Sequence, residues 1–172
     1  DINSPLQQDI LDAIHQVVES GWYLQGKANQ QFAEAYAQYI GTQYCIPCGN
    51  GLDALKLMLR GEMELGRLHE GDEIIVPANT YIATILAITE CRLNPILVEP
   101  RWETLQIDDR LLHQVLTPRT KAVMTVHLYG RCAMTEAIER FCQQHNLLLF
   151  EDNAQAHGCM YGNRKTGSLG NA

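Results

Sequence analysis

The apolar run Leu147-Leu-Leu-Phe150 passes without a break into Glu151-Asp152-Asn153-Ala-Gln155-Ala-His157-Gly158. Such a run reads as a strand covered on both faces. The two carboxylates, the amide and the imidazole then fall where the strand would leave an open α/β sheet, the edge at which ligands bind. A carboxylate fixed there can hold a cationic ring nitrogen. A second junction, Gly49-Asn-Gly51-Leu52-Asp53-Ala-Leu55, leads into a helix. Its glycines allow close backbone approach, and the first free amides of the helix point outward with the positive dipole end, which suits a phosphate. The simpler reading is a plain glycine turn. In Pro77-Ala-Asn79-Thr80-Tyr81-Ile-Ala-Thr84, Asn79 can cap a helix whose first turn holds Tyr81. That ring can stack on a flat heterocycle or simply fill core. Val126-His127-Leu128-Tyr129-Gly130 reads as a buried, satisfied histidine beside a packed tyrosine.

The elements that must position these residues alternate along the chain. Apolar residues Ile10, Leu11, Ile14, Val17 and Val18 form a helical stripe over 5–19, opened by Ser4-Pro5 and ended by Ser20-Gly21. An aromatic loop, 22–26, leads to a second helix over 29–39, stopped by Gly41. Strands are expected at 44–47, 73–76, 95–98, 121–126 and 147–150. Helices are expected at 52–65, 79–91, 108–116 and 136–145, the last capped by Thr135. Strands separated by helices of this length mean βαβ units, an α/β class with a mainly parallel sheet sandwiched by helices. One partial domain over 1–172 is expected, with N-terminal helices at 1–40 and αβ units at 41–172.

Composition narrows the function further. The 172 residues are 46% apolar and 19% charged, ordinary for a globular chain. A net charge of −7 argues against a general nucleic-acid binder. No apolar run approaches the ~20 residues of a membrane span. There is no Gly-x-Gly-x-x-Gly and no Gly-Lys-Ser/Thr, which counts against nicotinamide and nucleoside-triphosphate sites. Of six cysteines, only Cys45-Ile-Pro-Cys48 is a close pair. It could be a redox pair or half a zinc site, but no second pair follows, and buried or half-buried thiols between a strand and a loop are the simpler reading. No secretory leader is visible, so reduced cysteines in the cytoplasm are expected. The start at Asp1-Ile2-Asn3 and the end at Gly170-Asn171-Ala172 suggest a piece of a longer protein.

The stretch Glu151 to Gly158 resembles the Glu-Asp-Ala-Ala-Gln-Ser/Ala-His-Gly signature of the pyridoxal-phosphate-dependent nucleotide-sugar aminotransferases, the DegT/DnrJ family, with Asn153 where alanine is usual. The resemblance extends to Gly21-Trp-Tyr-Leu-Gln-Gly26, the 49–55, 71–77 and 79–84 stretches, Thr117-Pro-Arg-Thr-Lys-Ala122, His127-Leu-Tyr-Gly130 and Gly167-Ser-Leu-Gly170. Pyridoxal phosphate needs a phosphate anchor, a sandwiched ring and a partner for its pyridine nitrogen, and these junctions offer all three. The resemblance implies the large-domain part of a fold-type I pyridoxal 5'-phosphate enzyme, a homodimer acting on a nucleotide-sugar substrate with L-glutamate. Gly51 and Leu52 would offer amides to the phosphate, Tyr81 would stack on the ring, Asp152 would meet the pyridine nitrogen and Gln155 would bond the ring hydroxyl. The Schiff-base lysine is expected beyond Ala172, so no catalytic residue is assigned within the chain and the piece alone is expected to be inactive. The branch resembled most is the one that aminates dTDP-linked 3-oxo-6-deoxyhexoses. A dehydratase of the same family, with histidine in place of that lysine, and a non-catalytic ligand-binding or regulatory α/β protein are the alternatives. The 131–136 loop and Asn171 depart from the family pattern.

Overall fold

The computed structural model describes residues 3–172, which divide into two compact units, one ending at Pro47 and the other spanning Cys48–Ala172. In the first unit, a short 3-10 turn at Ser4–Leu6, with Pro5 inside its first turn, leads into α1 (Gln7–Ser20). α1 stops at Gly21, whose φ of 65° is left-handed and whose N–H reaches the Val18 carbonyl. α2 (Lys27–Ile40) ends the same way at Gly41 and buries Ala37 and Ile40. Phe32 and Tyr36, one turn apart, stack at 5.5 Å between ring centroids. The α1 stripe forms as a helix but stays exposed, with Ile14 at 55% and Val18 at 56%.

The strand expected at 44–47 does not form. This stretch carries no ladder pairing, and Tyr44 and Ile46 are exposed at 73% and 79%. An isolated four-residue run gains nothing from extended geometry without an edge to pair with.

The second unit is a four-stranded, all-parallel sheet in the order β2-β1-β3-β4. Its strands are β1 (Glu73–Pro77), β2 (Asn94–Val98), β3 (Thr120–Val126) and β4 (Leu148–Asp152). The helices are α3 (Gly51–Glu64), α4 (Ile82–Glu90), the single turn α5 (Leu112–Val115) and α6 (Glu136–His145). Side chains alternate across each strand. Ile74, Val76, Ala122, Met124 and Phe150 pack with Leu55, Leu59, Ala87 and Ile88 of α3 and α4 on one face. Ile75, Val98, Val123 and Leu149 pack with Leu112, Ile138 and Phe141 of α5 and α6 on the other. The two-sided burial explains why β1, β3 and β4 read as apolar runs, whereas β2, at the sheet edge, leaves Leu97 half exposed. A hairpin, β5 (Met160–Tyr161) with β6 (Arg164–Lys165), follows β4. The last residues run along the outer edge of β4, where Asn171 N–H donates to the Leu149 carbonyl at 2.7 Å and the Asn171 side chain accepts from Leu149 N–H at 2.8 Å.

Two expected helices are shorter than the pattern suggests. Asn79 does not cap α4. Its amide spans to the Leu105 carbonyl at 3.0 Å, and the helix starts only after Tyr81, which is the N-cap residue rather than part of the first turn. The 108–116 segment is a 3-10 turn (Asp109–Leu111) followed by α5, because Asp108 spends its carboxylate on the Arg110 backbone and guanidinium instead of extending a regular helix.

Candidate functional site at the sheet switch point

The chain passes from β1 to β2 on one side and returns to β3 on the other, so the carboxyl ends of β1 and β3 mark the point where strand order reverses. Ligand crevices form there in open α/β sheets. A cavity of about 440 Å³ sits at this edge. Its walls come from the start of α3 (Asn50, Gly51, Leu52), the start of α4 (Tyr81, Ile82) and the segment after β4 (Asp152, Gln155).

At the α3 start, Asn50 is the N-cap. Its Oδ1 accepts the Asp53 N–H at 2.9 Å, and its carbonyl accepts the Ala54 N–H at 3.0 Å. The first two helical amides, of Gly51 and Leu52, have no such partner and are the ones left for an anion. A methyl group built on Gly51 meets nothing within 4 Å. The chain's own packing therefore does not demand glycine there, and the space beside it is open.

The adjacent carboxylates at the end of β4 point to opposite faces of the sheet and do different work. Asp152 faces the cavity and is 9% exposed. Its Oδ2 accepts from Thr84 Oγ1 at 2.7 Å, and its Oδ1 accepts from Ala154 N–H at 3.2 Å. Thr84 also pairs with Thr80 Oγ1 at 2.8 Å. Since the Thr84 proton goes to the carboxylate, the remaining bond must run from Thr80 to Thr84, a one-way relay that fixes the Asp152 rotamer. Each carboxylate oxygen keeps acceptor capacity for a cationic donor.

Glu151 faces the other way. Its oxygens accept from His127 Nε2 at 2.8 Å and from the backbone amides of Gly167 (2.9 Å), Leu169 (2.5 Å) and Gly170 (2.8 Å). His127 Nδ1 accepts the Ala133 N–H at 2.9 Å, so the Nε2 nitrogen carries the proton it donates. Burial pushes the Glu151 carboxyl up, but the His127 bond and the three amides outweigh it and hold it below the usual glutamate range. Gly170 is where this clasp needs glycine, because a Cβ there would lie 2.3 Å from the Leu149 carbonyl oxygen.

The cavity thus gathers Gly51, Leu52, Tyr81, Asp152 and Gln155, all five residues singled out from the sequence. Gln155 is oriented by Tyr129, whose backbone N–H donates to its Oε1 at 2.7 Å, leaving the amide NH2 to donate elsewhere. His127 is fully buried and satisfied, as expected, but Tyr129 is 70% exposed rather than packed. Lys56 pairs with Asp53 and Glu90, and Lys165 lies on the hairpin; neither they nor Lys121 line the cavity. The cysteines are all free. Cys48 is exposed rather than buried, whereas burial lifts Cys142 to about 12. Among the described residues no cluster suits a metal ion, and no helix is long and apolar enough to cross a membrane. Sequence reasoning noted Glu151 as one of two carboxylates at the strand end but assigned no role to it or to Thr84. Nothing local marks Thr84 for this role, since Asp152 lies 68 positions away along the chain.

The chain is 46% identical over 171 residues to the dTDP-3-amino-3,6-dideoxy-alpha-D-galactopyranose transaminase of Aneurinibacillus thermoaerophilus, covering 99% of this chain and 46% of that protein. It is 41% identical to the dTDP-3-amino-3,4,6-trideoxy-alpha-D-glucose transaminase of Streptomyces venezuelae, covering 91% of this chain and 40% of that one. The crystal structure of S. venezuelae DesV in complex with a ketimine intermediate superposes with a TM-score of 0.90 at 39% identity, over 96% of this chain and 44% of the other. The E. coli GDP-4-keto-6-deoxy-D-mannose-3-dehydratase with bound hydrated PLP gives a TM-score of 0.88 at 30% identity, over 93% and 42%. The chain spans less than half the length of these relatives. With the family model matching from residue 5 to 172, this chain belongs to the DegT/DnrJ/EryC1/StrS aminotransferase family, as part of a fold-type I large domain.

Proposed function

We propose that the protein to which this chain belongs transfers an amino group from L-glutamate to a nucleotide-linked keto-deoxysugar, a dTDP-3-oxo-6-deoxyhexose by preference, using pyridoxal 5'-phosphate. The observation that carries this reading is the convergence of two free helix amides, Tyr81, Asp152 and Gln155 on one cavity at the sheet switch point. These residues fit the cofactor. The open space beside Gly51 would admit a phosphate to the Gly51 and Leu52 amides, and the Tyr81 ring, which lines the cavity, would cover one face of a planar ring. The Asp152 carboxylate, held by Thr84 and Ala154, would keep a proton on the pyridine nitrogen, and the Gln155 NH2, left open by the Tyr129 bond, would donate to the ring hydroxyl. When bound, pyridoxal phosphate supplies the electron sink for carbanion chemistry. The protein acts as a homodimer in the cytoplasm, with nucleotide sugar and glutamate as its partners.

The transaminase relatives, at 41–46% identity, favour transamination over the dehydration performed by the 30%-identical structural relative. Incubating the full-length protein with cofactor, 15N-glutamate and a dTDP-3-oxo-6-deoxyhexose tests both. Label in the sugar product supports transamination. A deoxygenated, unlabelled product establishes dehydration instead, and an unchanged sugar refutes both.

A further inference from the structure

The loop after β3 and the turn after β4 each carry a free, half-buried cysteine, Cys132 and Cys159. Neither lines the cofactor cavity. Both adjoin the Glu151–His127 clasp, from opposite ends of its hydrogen-bond network. At one end Ala133, the residue after Cys132, donates its N–H to His127 Nδ1 at 2.9 Å. At the other, Thr166 donates its N–H to the Cys159 carbonyl at 2.9 Å, and Gly167, the next residue, donates to Glu151 Oε2 at 2.9 Å. Thr166 is fully buried, and its hydroxyl reaches the Ala156 and Cys159 carbonyls at 3.1 and 3.3 Å, so the Cys159 turn is anchored.

The Thr166–Cys159 bond extends the β5–β6 ladder by one pair beyond Met160 and Lys165. Side chains alternate along a ladder. Cys159 and Tyr161 therefore share one face, and Met160, half exposed, takes the other. Cys132 and Tyr161 pack against the same core, the one on the α5–α6 side of the sheet. Charge interactions join the three side chains as well. Burial raises the Cys132 thiol above its ordinary range, and Cys159 and Glu151 add to this against a hydrogen bond from the Met134 backbone. Burial, Glu139, Glu136 and then Cys132 raise Tyr161 likewise. Residues 131–135 and Cys159 lie outside the helices and strands, so bringing the two sulfurs together unwinds no helix.

We infer that Cys132 and Cys159 form a reversible disulfide that locks the loop after β3 onto the turn after β4, across the clasp. The oxidant is a small disulfide of the glutathione type. Cys159 attacks it, loses its proton and releases one glutathione, leaving a mixed disulfide. Cys132 then attacks the Cys159 sulfur, loses its proton and releases the second glutathione. Two protein S–H bonds are exchanged for one S–S bond, and the two electrons and two protons appear in two molecules of reduced glutathione. A shielded thiol whose ionisation burial disfavours is a poor first nucleophile, which gives Cys132 the second step. Held beside the mixed disulfide, it gains the advantage of an intramolecular reaction. The same loop carries Leu128 and the Tyr129 amide that holds Gln155, so the lock steadies one wall of the cofactor cavity and needs no cofactor to form.

Peptide mapping of the full-length protein tests this. Oxidised glutathione is added, remaining thiols are alkylated, and the protein is cut with trypsin and a glutamate-specific protease. These enzymes place Cys132 in 132–136, Cys142 in 141–151 and Cys159 in 152–164. Peptides 132–136 and 152–164 should appear as one linked species without glutathione, which dithiothreitol separates. Cys132→Ser should stop at the mixed disulfide, with one glutathione on Cys159, and Cys159→Ser should leave Cys132 unmodified. Amide exchange at Ala133 and Gly167 should slow at least about tenfold in the oxidised protein. A glutathione retained on Cys159 of the parent, a Cys132 linked elsewhere, or no reaction at either thiol would overturn the pair. A link that leaves exchange at Gly167 unchanged would overturn the lock.

Discussion

Replacing Glu151 by glutamine separates the two carboxylates at the end of β4. The glutamine oxygen can occupy one carboxylate position and keep the Leu169 and Gly170 amides bonded. The amide NH2 then faces His127 Nε2–H and Gly167 N–H, donor against donor. His127 cannot escape by moving its proton to Nδ1, because that nitrogen accepts from Ala133 N–H. Two buried donors lose their acceptor, at about 1–3 kcal/mol each, so the clasp weakens by about 2–6 kcal/mol. Asp152 lies on the opposite face and keeps its Thr84 and Ala154 bonds. In the full-length protein, Glu151→Gln should lower the melting temperature of the cofactor-free form by several degrees and speed amide exchange at Gly167. Cofactor affinity should stay within about threefold. Asp152→Asn should do the reverse, with a normal melt and amino transfer reduced by orders of magnitude. A Glu151→Gln protein that melts within a degree of the parent, with Gly167 still protected, would refute the argument that this carboxylate is the clasp.

Further outcomes follow from the same contacts. Gly51→Val should fold normally, since the site beside it is open, but lose cofactor affinity at least tenfold by fluorescence titration; an unchanged affinity would reduce Gly51 to a turn residue. Thr84→Val removes a hydrogen bond to a buried carboxylate, about 1.5–3 kcal/mol, and should weaken cofactor binding, whereas Thr84→Ser should restore it. Acid should destabilise the second unit through carboxyls that folding acidifies. Hydrogen bonds from Arg110 hold Asp108 at about 2, and Glu73 and Glu151 are also below their ordinary range. Each contributes stability above its unfolded pKa, near 4, which is lost as pH falls through the folded value. Urea midpoints should therefore drop from pH 5 toward pH 2, and Asp108→Asn should flatten part of that slope.

The sequence determined the α/β class, because alternating apolar strands and amphipathic helices have one economical way to bury both faces of a sheet. It also carried the five cavity residues, each of which sits at a strand end or helix start that local pattern marks. Gly51 and Leu52 follow from the α3 start alone. Tertiary structure decided what those patterns cannot encode. Asn79 is drawn away from capping α4 by the Leu105 carbonyl, 26 positions along the chain, and the stretch at 44–47 lacks the edge that would have made it a strand. The separate tasks of Glu151 and Asp152 are likewise invisible in a Glu-Asp pair. Strand alternation sends one to each face, but only the fold brings Thr84 to Asp152 and the 167–170 amides to Glu151. Short-range pattern reports backbone propensity and burial, whereas a carboxylate's role depends on which donors reach it, and those come from distant parts of the chain.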